Sequence, residues 1–60
     1  MCEFRVFLDG EQIAEDVIYA KAEGHSVILR DSLGQPIVRK NVKIAEIDVT
    51  STRLVLERTK

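Results

Sequence analysis

Cys2 is the residue best placed to do chemistry in this sequence. A chain-terminal amine, the Cys2 backbone nitrogen and the Cys2 thiolate can close small chelate rings around one ion. Such a strong-field set of nitrogen and sulfur donors suits square-planar Ni(II). If Met1 is removed, the new amine and the thiolate of Cys2 still form a bidentate pair, and a two-fold dimer can bring two such pairs together. The competing reading of the same residue is an ordinary thiol on a frayed terminus, since terminal residues are commonly poorly ordered.

No other residue finds a chemical partner. The chain has one His, one Cys and one Tyr. Ser26 beside His25 is not a nucleophile and base, because adjacent strand residues point to opposite faces. Gly10, Gly24 and Gly34 stand too far apart to cradle a phosphate. Glu15-Asp16, and Glu46 with Asp48, lack the dense oxygen spacing of a calcium loop. They read as solvated edges and turns, where charge discourages edge-to-edge aggregation. His25 follows Gly24 and reads as a turn residue, with no second donor at metal-site spacing. These absences predict a protein that is not an enzyme.

Nine Lys and Arg stand against ten Asp and Glu, a net charge of −1 with His25 neutral. Nucleic-acid binding draws most of its affinity from neutralising phosphates, and no basic excess is present to do so. Arg39, Lys40, Lys43, Arg53, Arg58 and Lys60 crowd the second half of the chain, but Phe4, Phe7 and Tyr19 are not interleaved with them to stack bases. A salt-bridged, solvated face is the preferred account. The alternative, a small RNA-binding module, requires Arg39, Lys40, Lys43 and Arg53 to share one face.

The elements that must position these groups are short strands. Phe4, Val6 and Leu8 alternate with polar or exposed positions, which predicts a strand over 3–8, and Asp9-Gly10 is a hairpin turn signal. Residues 11–23 contain good helix formers, yet alternating Val17, Tyr19 and Lys21 predict a bent strand. Val27-Ile28-Leu29 leads to a turn at Asp31-Ser32-Leu33-Gly34. Pro36 must sit at a sheet edge or a strand start, and it opens a short strand at Ile37-Val38. Val42, Ile44, Ile47 and Val49 predict a strand with a bulge near Ala45, and Thr50-Ser51-Thr52 turns the chain into Leu54-Val55-Leu56. The sum is an all-β domain over 1–60, a small SH3-like or Sm-like antiparallel β-barrel.

So short a chain hides only about 60% of the surface its unfolded form exposes. A single cysteine forms no internal disulfide, which leaves a partner chain or a metal to stabilise it. A homodimer is expected, burying exposed residues such as Phe7 against a second copy. The chain shows no export signal and no run near the roughly 18 apolar residues of a membrane span, so it is expected in the cytoplasm with no membrane partner.

The sequence also resembles a family over nearly its whole length. Met1-Cys2-Glu3, Glu15-Asp16-Val17, Glu23-Gly24, Leu29-Arg30-Asp31-Ser32-Leu33-Gly34, Lys43-Ile44-Ala45-Glu46-Ile47-Asp48 and Leu54-Val55-Leu56-Glu57 are similar to the CooT-type small nickel-binding proteins. The Met-Cys-Glu opening is the specific part. The resemblance implies a homodimeric small barrel, a Ni(II) ligand at Cys2, and a metallochaperone role serving carbon monoxide dehydrogenase or another nickel enzyme and its maturation factors. Members of the family have also been labelled RNA-binding from fold likeness alone, a weak warrant. One departure is Asn41-Val42 where a turn former such as Gly is expected, and Asn takes the left-handed conformation that such a turn requires. The absence of a His-rich tail argues against bulk nickel storage.

Overall fold

A computed structural model describes residues 3–59. The elements are β1 (Phe4–Leu8), β2 (Glu11–Glu23), β3 (Ser26–Asp31), β4 (Pro36–Lys40), β5 (Val42–Asp48) and β6 (Arg53–Arg58), with no helix among the described residues. Asp9 and Gly10 both take positive φ, 55° and 79°, as a tight hairpin between twisted strands requires.

The bent-strand expectation for residues 11–23 holds because β2 serves two ladders. Its first half pairs with β1 and its second half with β3, with register shifts near the bend. Asp16 sits there at φ 56°, and its carbonyl accepts the Ser32 N–H at 2.8 Å. These tertiary ladders outweigh the helix propensity of the Ala-rich segment.

The β3–β4 turn is closed by Asp31, whose carboxylate accepts the N–H groups of Leu33 and Gln35 at 3.0 and 2.9 Å. Pro36 then begins β4, an edge strand. Asn41 adopts φ 61°, and the bulge in β5 falls between Ile44 and Glu46, as the sequence predicts.

The core is aliphatic. Val6, Leu8, Val17, Val27, Leu29, Val42, Leu54 and Leu56 are buried, and Phe4, Ile13, Ala14, Ile37 and Ile44 pack against them. Every strand except β4 contributes a fully buried residue, and β4 contributes the half-buried Ile37.

The expected closed antiparallel barrel is corrected on two points. The sheet is mixed, with order β4-β3-β2-β1-β6-β5, because β1 and β6 run parallel. It is also not closed, since β4 and β5 form its two edges and do not pair. The cause lies at Asn41, the single residue between them. The N–H groups of Asn41 and Val42 both donate to the His25 carbonyl, at 2.6 and 3.1 Å. That corner ends β4 at the β2–β3 turn and turns the chain away to pair with β6 instead.

Thr52 is the one β-branched residue with positive φ among the described residues, at 50°. A branched side chain in that region costs about 1–2 kcal/mol, whereas Asn tolerates it. Thr52→Asn should therefore raise stability by about 1 kcal/mol, read as a higher urea midpoint with an unchanged slope.

Candidate functional site

Cys2 lies outside the described residues. The first strand, β1, begins at Phe4, two residues further along the chain. Two ladders hold that start. Phe4 pairs with Val17 of β2, and the Arg5 N–H donates to the Thr52 carbonyl at 2.9 Å. Beside Phe4 lies an apolar recess of about 140 Å³, lined by Val17, Ile18, Tyr19 and Ala20 of β2, Ile47 of β5 and Leu54 of β6.

The other sequence-selected residues are dispersed. His25 occupies the β2–β3 turn, exposed, with its carbonyl committed to the corner at Asn41. It stands beyond the far end of β2 from Val17, about 20 Å along the strand. Glu15 and Asp16 are exposed at the β2 bend. Glu46 pairs with Arg53 at 3.5 Å.

Asp48 accepts the Ser51 N–H at 3.2 Å, and this backbone hydrogen bond holds its carboxyl below its ordinary value. A depressed carboxylate stabilises the fold above its unfolded value near 4 and loses that contribution as pH falls through the lower folded value. The bond is thus a turn clasp that works throughout the neutral range. Among the described residues, no three His, Cys, Asp or Glu side chains gather in a way that could hold a metal ion.

The cations offered for an RNA face are not assembled on one. Arg39 pairs with Val27, which is buried, and so lies on the inward side of β4, while Lys40 lies outward. Lys43 is on the opposite edge of the sheet, 3.8 Å from Glu57, and Arg53 is held by Glu46. Phe7, expected against a second copy, is half-buried on the outward side with the Arg5 and Arg53 guanidinium groups each 6.0 Å from its ring centre.

Two features escape sequence reasoning. One is the recess beside Phe4. The other is the stacking of the Arg30 guanidinium over Tyr19, 4.6 Å from the ring centre. Both depend on which strands are neighbours and in what register, and local alternation carries neither.

The described residues form an open all-β sheet with an apolar recess at the start of its first strand. The family is specific: the profile described as CO dehydrogenase accessory protein CooT matches residues 1–57, and the chain belongs to that family. It is an accessory protein and not a catalyst. No curated protein matches the chain at a significant level. No helix among the described residues is long and apolar enough to cross a membrane.

Proposed function

We propose that this chain binds Ni(II) through Cys2 as cargo and delivers it to carbon monoxide dehydrogenase or another nickel enzyme. The observation that carries the reading is membership of the accessory family over a span that includes Met1-Cys2-Glu3. The donor chemistry fits the ion, since a thiolate with amine or backbone nitrogens is a strong-field set. Cys2 is the one cysteine of the sequence and so its one thiolate donor. In this reading two chains form a homodimer, each supplies one Cys2, and the protein works in the cytoplasm, where thiols stay reduced.

Titration of the purified chain with Ni(II) tests the proposal. Binding is expected at about one ion per two chains, as a two-fold shared site requires. An unperturbed thiol has a pKa of about 8.5 and must lose its proton to bind, so affinity should rise with pH and binding should release protons. An affinity that stays constant from about pH 6 to pH 9 would exclude a thiolate anchor.

A further inference from the structure

We infer that the outward face of β2, β3 and β4 is a docking surface for an acidic protein partner with an apolar centre. The inference rests on the reading that the chain serves a partner enzyme, and it concerns residues other than Cys2.

Register defines the face. Val27 and Leu29 are buried, so their β3 neighbours Ser26, Ile28 and Arg30 point outward. Cross-strand partners share a face, which gives three rows across the three strands. These are Tyr19–Arg30–Pro36, Lys21–Ile28–Val38 and Glu23–Ser26–Lys40. Opposite residues stand only about 5 Å apart, so the rows make one continuous patch.

Composition gives the patch its character. The solvated face of an antiparallel sheet is ordinarily polar. Here the middle row brings Ile28 and Val38 together, with Val38 55% and Tyr19 40% exposed. Arg30, itself exposed, stacks over Tyr19. A held arginine on an aromatic ring beside aliphatic side chains is the composition of an interface centre.

Charge selects the partner. The face carries Lys21, Arg30 and Lys40 against Glu23 alone, and Glu23 is shared with Lys21 at 3.9 Å. On the outward side of β1, β6 and β5, by contrast, Arg5, Arg53 and Lys43 are balanced by Glu46, Asp48 and Glu57. The chain has a net charge of −1 overall, so the cationic excess on one sheet face reflects segregation of charge and not composition. A complementary surface presents carboxylates around an apolar centre.

The test uses the full chain and purified carbon monoxide dehydrogenase lacking nickel, immobilised as the probe. Arg30→Glu combined with Lys40→Glu should weaken binding at least about tenfold, as should Val38→Asp. Arg5→Glu combined with Lys43→Glu should leave it unchanged. Raised salt should weaken the wild type and affect the Arg30→Glu, Lys40→Glu variant less. Nickel uptake should persist in every face variant, and Cys2→Ser should lose nickel while keeping the docking contact, so the two readings fail separately. The inference is overturned if the wild type does not bind the enzyme, or if the face variants bind as tightly as the wild type. It is also overturned if those variants instead abolish binding to poly(U) RNA, or if they convert a dimer to monomers in sedimentation equilibrium.

Discussion

Cys2→Ser is expected to lower nickel affinity by more than about 100-fold, beyond what loss of a supporting group around a metal costs. The seryl hydroxyl keeps its proton at neutral pH and is a hard donor, so it replaces neither the charge nor the softness of the thiolate. Sulfur-to-metal charge-transfer absorption should vanish with the affinity. The proposed dimer should persist in sedimentation equilibrium, since the substitution changes one atom. His25→Ala is the matched comparison, and it should leave both affinity and absorption nearly unchanged because His25 stands beyond the far end of β2 from the start of β1. Full nickel affinity in Cys2→Ser would return the residue to an ordinary thiol.

Leu29→Ala is expected to remove much of the stability of the fold. Leu29 is fully buried at the centre of β3 and is among the largest fully buried side chains. Truncating such a leucine costs about 2–5 kcal/mol. A domain of this length has only about 3–9 kcal/mol in all, at 0.05–0.15 kcal/mol per residue. The urea midpoint should therefore fall by about a fifth or more, and if the cost exceeds the total stability the chain should be unfolded in buffer. Leu33→Ala controls for side-chain chemistry. Leu33 is 85% exposed at the β3–β4 turn, so its loss should change stability by less than about 0.5 kcal/mol. A cost below 1 kcal/mol for Leu29→Ala would mean that the open sheet closes over the cavity.

The strands were legible because local chemistry specifies them. Asp9-Gly10, Pro36 and Asn41 are residues whose backbone preferences leave few alternatives, and each stands where its preference is used. The bulge at Ala45 was readable as a phase shift between Ile44 and Ile47. The parallel pairing of β1 with β6 was not readable, since it joins segments nearly fifty residues apart and leaves no local period. The same limit left the sheet's open side hidden.

For the candidate site, the proposed donor chemistry of Cys2 rests on one residue of the sequence. The docking face was not legible, because Tyr19, Ile28 and Val38 become neighbours only through the registers of two ladders. Grouping Arg39 with Lys40 failed for a simpler reason. Successive strand residues point to opposite sides, and Arg39 faces inward.

The parallel alignment of β1 and β6 has a mechanical consequence. The chain enters the sheet at Phe4, beside Arg53, and leaves it at Arg58, beyond the other end of the same pair. A force applied to the two termini therefore pulls β1 and β6 along their lengths in opposite directions. The ladder is loaded in shear, and its hydrogen bonds must yield together instead of peeling one at a time. Forced extension is governed by the height of that barrier and not by equilibrium stability. So small a protein should thus resist stretching from its ends far better than its modest core suggests.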